Sequence, residues 1–177
     1  MINIAERTLR FERLANRLRS HLSSEEPDVL SALRLALSEA APLSGFLTEL
    51  ERAGDPARYS RQLCYADPHG MFTMLLLVWR SGQCSPVHGH QTWCGYTVLE
   101  GTLQEEVFVW NADERKAEKL HDTRRKAGDV VASLKGLADI HRLGNYAEAT
   151  AVSLHIYGVA QHEVGTLVNL VVDEVCD

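Results

Sequence analysis

The chain has 177 residues, of which 45% are hydrophobic and 24% are charged, so it is long enough for one globular domain with a sizeable core. Its formal net charge of −6 argues against a surface for nucleic acid or an anionic membrane. No apolar run reaches the roughly 18–20 residues that cross a bilayer, and the charged segment 1–22 lacks the apolar stretch of a signal peptide. We therefore expect a cytoplasmic protein with no nucleic-acid or membrane partner, as a monomer or a small homo-oligomer.

The four cysteines are scattered along the chain and form no C-x-x-C pair. Such a distribution favours reduced thiols over a disulfide framework or a thiolate zinc site, in keeping with a cytoplasmic location. The cysteines are Cys64, Cys84, Cys94 and Cys176.

Apolar residues in the first 57 positions recur at helical spacing. Three helices are predicted there: one within the first 22 residues, one that begins after Glu26 with Pro27 in its first turn, and one over 44–52. The predicted inward positions are Phe11, Leu14, Leu18 and Leu22 in the first helix, Leu30, Leu33 and Leu37 in the second, and Leu47 and Leu50 in the third.

From residue 58 onward the pattern is that of strands separated by turn residues. The continuous apolar run 72–79 is typical of a strand buried on both sides. Several short strands at this spacing predict a barrel or a double-sheet jelly roll. We therefore expect one mostly β domain over 1–177, with N-terminal helices in 1–57 and the barrel in 58–177. The other predicted strands are 92–99, 103–110, 130–134, 150–157 and 166–172.

The histidine pair His88 and His90 is the first candidate for a functional site. In a strand, residues two apart point to the same face, so the two imidazoles form half of a metal site. The pair alone is a weak indication, since H-x-H also arises by chance on surfaces and in cores.

The surroundings of the pair resemble the conserved motifs of the cupin superfamily. The first motif, G-x5-H-x-H-x3-E-x6-G, matches at four positions, with Cys94 at the place of the glutamate. In the second, Leu134 replaces the usual proline and the gap before the histidine is two residues longer. The matching residues are Gly82, His88, His90 and Gly101 in the first motif, and Gly128, Gly136, His141 and Asn145 in the second.

This resemblance implies a cupin, or double-stranded β-helix, barrel with an N-terminal helical layer. It also implies one metal ion held by His88, His90 and His141. Imidazole ligands suit iron, zinc, copper and nickel, so they do not choose the metal by themselves. With no carboxylate ligand the site keeps the full charge of the cation, which favours an anionic ligand such as a thiolate.

A third stretch, Ser153, His155 and Tyr157, resembles the S-x-H-x-Y series that follows the third histidine ligand in the cysteine dioxygenase family. The three residues share one face of a strand, and each can hydrogen-bond the next. The alternative is that they are three ordinary core residues with satisfied polar ends. Their occurrence together behind a cupin motif favours the functional interpretation.

The segment from Tyr59 to Arg61 resembles the family's Y-x-R segment, in which the arginine binds the substrate carboxylate. The alternative is a solvent-exposed arginine at a helix end. The related 3-mercaptopropionate dioxygenases carry glutamine at this position and an arginine after the H-x-Y strand. Here residues 158–164 contain no arginine, which favours cysteine as the substrate.

Together, the resemblance implies a non-haem Fe(II) enzyme that oxidises L-cysteine with O2 to cysteine sulfinic acid. Arg61 would hold the carboxylate with help from Tyr59, and Tyr157 would be oriented by His155 and Ser153. Two alternatives remain open. One is a dioxygenase of another small thiol acid such as 3-mercaptopropionate, and the other is a non-catalytic cupin that binds a metal or a small ligand.

In the mammalian enzymes of the family a cysteine is bonded to the active-site tyrosine by a thioether. Counted from the histidines, the corresponding residue here is Gly95, but counted back from Gly101 it is Cys94. In an unbroken strand Cys94 would lie on the same side as His88 and His90, and a bulge would reverse this. We expect a Cys94–Tyr157 bond in a minor fraction of the protein at most.

Overall fold

The computed structural model describes residues 4–175, so Cys176 lies outside the described residues. The N-terminal part is helical, and none of the helices in the described range is both long and apolar enough to cross a membrane. The helices are α1 (Ile4–Leu22), α2 (Val29–Ser38) and α3 (Glu49–Ala53), with a 3₁₀ segment at Ala41–Phe46.

The first two helices follow the predicted apolar spacing. In α1 the side chains of Phe11, Leu14 and Leu18 are buried. Helix α2 is capped by Asp28, whose carboxylate accepts a hydrogen bond from the backbone N–H of Ser31 at 3.0 Å. Pro27 therefore precedes the cap residue, and the prediction that it lies in the first turn of the helix was wrong.

The prediction of one helix over 44–52 was wrong. The 3₁₀ segment ends at Phe46, and Thr48 then starts α3 through a capping box with Glu51. Leu47 is buried as expected, but Leu50 is 84% exposed because the new helix turns it to solvent.

The remainder of the chain forms two antiparallel sheets. The strands are β1 (Ser60–Ala66), β2 (Thr73–Trp79), β3 (Gln83–Cys84), β4 (His88–His90), β5 (Cys94–Glu100), β6 (Thr102–Asn111), β7 (Lys116–Lys126), β8 (Val130–Ser133), β9 (Gly136–Asn145), β10 (Ala151–Tyr157) and β11 (Asn169–Val171). The five-stranded sheet has the order β1-β2-β10-β5-β8, and the other sheet has the order β11-β4-β9-β6-β7 with β3 paired to β9.

Strand β2 is buried along its whole length because it has a core on each side, as the apolar run predicts. Leu76 and Val78 pack with the helices on the outer face of the five-stranded sheet. Leu77 packs on the inner face with Val98 of the same sheet and Leu143 of the other. Burying each such side chain contributes about 1.5–3 kcal/mol. The inner core closes one side of the candidate site.

Strands β1, β3, β7 and β9 were not among the predicted strands. Strand β7 is an edge strand dominated by charged and polar residues, so it has no apolar alternation to reveal it. Strand β9 carries His141 and pairs with β4 and β6 in the middle of its sheet. The expected strand over 166–172 is shorter than predicted, at Asn169–Val171.

Candidate metal centre and substrate pocket

Two paired strands bring the three motif histidines together. His88 and His90 lie on β4, and His141 lies directly opposite His88 on β9. All three side chains are buried. Gly89, between the first two, approaches β9 so closely that a Cβ atom there would lie 2.5 Å from the carbonyl oxygen of Gly136. The close approach of β4 to β9 therefore requires glycine at this position.

The geometry of the three histidines fits a single metal ion. Their ligand atoms lie within 4.8 Å of one another. The Nε2 atoms of His90 and His141 are 3.3 Å apart. Two imidazole nitrogens that bind one ion at about 2.0–2.1 Å in tetrahedral geometry are separated by about 3.3–3.4 Å. Among the described residues, the cluster consists of these three histidines, so its ligand atoms are all imidazole nitrogens.

Hydrogen bonds and burial keep these imidazoles in a form that can bind a metal. The Nδ1–H group of His88 donates to the carbonyl oxygen of Pro86 at 2.9 Å, which leaves Nε2 free as the ligand atom. Burial, followed by the neighbouring His141, lowers the pKa of His88 and that of His90 to about 3. Both rings are therefore neutral at neutral pH, as metal ligands must be.

The Ser153, His155 and Tyr157 series lies on β10, and all three side chains are buried. The Oγ atom of Ser153 is 2.9 Å from Nε2 of His155, and Nδ1 of His155 is 3.2 Å from the hydroxyl of Tyr157. Burial holds the pKa of His155 well below its usual value and raises that of Tyr157. These three residues therefore form a series of neutral hydrogen-bonding groups that ends at the protonated phenol of Tyr157.

A cavity joins the histidine cluster to this series. The cavity is lined on one side by the three histidines and on the other by Tyr59, Arg61, Cys94, His155 and Tyr157.

Arg61 lies on β1 and not at a helix end, and it lines this cavity. Its guanidinium donates a hydrogen bond to the hydroxyl of Tyr59 at 3.1 Å. The ring of Tyr59 is in turn stacked on Trp79, with 4.5 Å between ring centroids. The side chain of Arg61 is exposed and thus accessible to an incoming anion.

Cys94 also lines the cavity, but for a different reason from the predicted one. The parity argument was wrong because β4 and β5 belong to different sheets and are separated by residues 91–93. Cys94 lies directly opposite Tyr157 in the ladder between β5 and β10. Burial raises the pKa of the Cys94 thiol to about 12, so the thiol is protonated.

The residues of this site that the sequence analysis missed include Glu105, Trp79 and Asn169. Glu105 on β6 accepts a hydrogen bond from Nδ1–H of His141 at 2.7 Å. The one sequence feature that pointed to Glu105 is its position two residues after Leu103, which places both side chains on the same face of the strand. Trp79 hydrogen-bonds Ser153, and Asn169 lines the cavity from β11. By contrast His69, His121 and His162 are exposed, as expected of histidines outside the motifs.

The two sheets and the three inward histidines define a metal-binding protein of the cupin class. The fold is similar to a protein with a double-stranded β-helix domain from Klebsiella pneumoniae, with a TM-score of 0.50, 15% identity, and coverage of 68% of this chain and 84% of that one. The family model "Cysteine dioxygenase type I" matches residues 48–164. The chain belongs to this family.

Curated relatives agree with this assignment. The chain is 31% identical over 106 residues to cysteine dioxygenase type 1 of Rattus norvegicus, covering 58% of this chain and 52% of the relative. It is 31% identical over 111 residues to the Danio rerio protein of the same name, with the same coverage. The chain thus spans about half the length of the curated relatives it matches.

Proposed function

We propose that the protein is a non-haem Fe(II) thiol dioxygenase that oxidises L-cysteine with O2 to cysteine sulfinic acid. The observation that carries the proposal is the cavity itself, which has a three-histidine cluster on one wall and Arg61 with Tyr157 on the other. The cluster suits a metal with open positions, and the other wall suits a small ligand with a carboxylate. Membership of the cysteine dioxygenase type I family supports the choice of reaction.

The metal would be held by His88, His90 and His141 through their ring nitrogens. Bound Fe(II) would supply the redox chemistry by which O2 reacts with a thiolate, which amino-acid side chains alone do not provide. All three donors are uncharged, so the cation keeps its charge and favours the thiolate form of the substrate. The net reaction adds both atoms of O2 to the substrate sulfur, and no other reductant is needed.

Arg61 would hold the substrate carboxylate at the mouth of the cavity. Its planar fork matches a carboxylate in a two-bond, charge-assisted geometry. Tyr59 orients the guanidinium through the hydrogen bond described above and is itself fixed by stacking on Trp79. Binding the carboxylate at this end directs the thiol of a short amino acid towards the histidine cluster.

Tyr157 would orient the substrate and the reacting oxygen within the cavity. Its hydroxyl is anchored by His155 on one side, and its raised pKa keeps it protonated at neutral pH. A protonated phenol can donate a hydrogen bond to developing negative charge.

Cysteine is preferred over 3-mercaptopropionate because of the residues near the carboxylate end. The position of Arg61 holds arginine where the 3-mercaptopropionate enzymes have glutamine, and residues 158–164 have no arginine. The scattered cysteines of the sequence fit a reducing compartment, so we place the activity in the cytoplasm.

A substrate panel on the iron-loaded protein tests this proposal. We expect O2 consumption with L-cysteine, matched by sulfinate formation, and slower turnover of 3-mercaptopropionate and cysteamine. Fastest turnover of 3-mercaptopropionate would assign the enzyme to the other thiol acid. No O2 consumption with any thiol would favour a non-catalytic cupin.

A further inference from the structure

Glu105 links the metal-ligand cluster to β7, the edge strand of the same sheet. Its side chain on β6 is buried to 3% exposure in the core of the sheet. One carboxylate oxygen accepts a hydrogen bond from Nδ1–H of His141 at 2.7 Å. The other accepts one from Nε–H of Arg125 on β7, also at 2.7 Å. A buried carboxylate thus joins a ligand histidine to an arginine.

We propose that Glu105, held in place by Arg125, is a positioning residue that fixes the tautomer and the orientation of His141 and so raises the metal affinity of the site. The inference deepens the proposed function and rests on it for the identity of the metal ligands. Because the carboxylate accepts a hydrogen bond from Nδ1–H of His141, the proton of the neutral ring stays on Nδ1 and Nε2 is unprotonated. The Nε2 atom then faces away from Glu105, towards His90. The carboxylate also makes the imidazole more basic, which strengthens its bond to a cation.

Arg125 makes the buried carboxylate possible. A lone carboxylate at this depth would be strongly disfavoured unless it were paired. The hydrogen bonds from His141 and Arg125 give each carboxylate oxygen of Glu105 a partner inside the protein.

The adjacent Glu106 offers a matched control. It lies on the same strand and is also buried, at 9% exposure. Its side chain is on the other face, where it accepts hydrogen bonds from Lys119 at 2.9 Å and from Arg142 at 3.0 Å. Glu106 therefore shares the strand, the burial and the ion pairing of Glu105 but has no contact with a ligand histidine.

The test is a titration of metal-free protein with Co²⁺, followed by visible absorption and by competition with a chelator. We expect Glu105→Gln to weaken cobalt binding by about tenfold, because glutamine keeps an oxygen acceptor but loses the charge. Glu105→Leu and Arg125→Met should approach about a hundredfold and change the absorption bands. Glu106→Gln should bind cobalt like the wild type.

A second measurement needs no metal. In protein labelled with ¹⁵N-histidine, the His141 ring should be protonated at Nδ1 in the wild type and in Glu106→Gln, and should become a mixture of tautomers in Glu105→Leu. This readout separates positioning from a general loss of stability, which thermal unfolding of the same samples measures.

The outcomes separate the two proposals. Equal cobalt affinity and spectra for the wild type and Glu105→Gln, or an equal loss in Glu106→Gln, would overturn the role of Glu105 while leaving the metal site intact. A wild type that binds no cobalt would overturn the metal site, and the positioning role with it. If Glu105→Leu does not fold, Glu105→Gln and Arg125→Met decide the question.

Discussion

Trp79 donates its indole N–H to the hydroxyl of Ser153 at 2.9 Å, at the far end of the hydrogen-bonded series that leads to Tyr157. An indole nitrogen only donates, so one lone pair of the Ser153 oxygen accepts this bond and the Ser153 proton is available to Nε2 of His155. In the tautomer of His155 that accepts this proton, Nδ1–H donates to the oxygen of Tyr157. The phenolic proton is then available to a ligand in the cavity.

Replacing Tyr157 by phenylalanine should lower kcat for cysteine by roughly tenfold or more, because one hydrogen bond to developing charge is lost. The fold and the iron content should be retained, and O2 consumption should exceed sulfinate formation. Trp79→Phe should have the same effect in weaker form, since Ser153 loses the hydrogen bond that it accepts from Trp79. Steady-state rates with product quantification measure both variants. A tyrosine that only packs would leave rate and coupling unchanged.

Arg61→Gln should raise the KM for cysteine by about ten- to a hundredfold, since a charge-assisted, two-bond contact contributes about 1.5–3 kcal/mol. Cysteamine has no carboxylate, so its slow turnover should be the same in the wild type and the variant. Arg58→Gln is the matched control because Arg58 is exposed and pairs weakly with Asp55 at 3.9 Å. An unchanged KM for cysteine would remove Arg61 from the substrate site.

The intact mass of the purified protein tests the thioether. Cys94 and Tyr157 lie opposite each other in a strand ladder and both face the cavity, so a bond between them is sterically accessible. The high pKa of the buried thiol disfavours spontaneous reaction. We expect mostly unmodified protein, with a species lighter by two hydrogens growing during turnover and absent from Cys94→Ser. A fully cross-linked preparation at isolation would contradict this.

His141→Ala should lose the metal, because only two imidazoles remain, and Glu105 loses the hydrogen bond that it accepts from His141. Iron content by elemental analysis should fall well below that of the wild type, together with activity. His121→Ala is the control, since His121 is exposed on β7. Full iron content and turnover in His141→Ala would remove this residue from the metal site.

The local patterns of the sequence predicted much of this site, but they could not predict the contacts between strands that are distant in the sequence. The apolar run at β2 and the pair His88 and His90 are visible in the chain because they depend on short-range periodicity, whereas His141 was identified through the resemblance to the second cupin motif. The contact between Glu105 and Arg125 depends on the register of β6 with β7, and β7 has no apolar alternation to predict it. The argument that Cys94 shares a strand face with His88 and His90 failed because the chain crosses from one sheet to the other at residues 91–93. No glycine or proline marks this crossing in the sequence.

The central claim is that both atoms of O2 end on the sulfur of cysteine, and isotope labelling tests it most directly. Iron-loaded protein with L-cysteine under ¹⁸O2 should form cysteine sulfinic acid that carries two ¹⁸O atoms, with one O2 consumed for each product molecule. Formation of cystine, or of sulfinate with oxygen derived from water, would contradict the proposed dioxygenase activity.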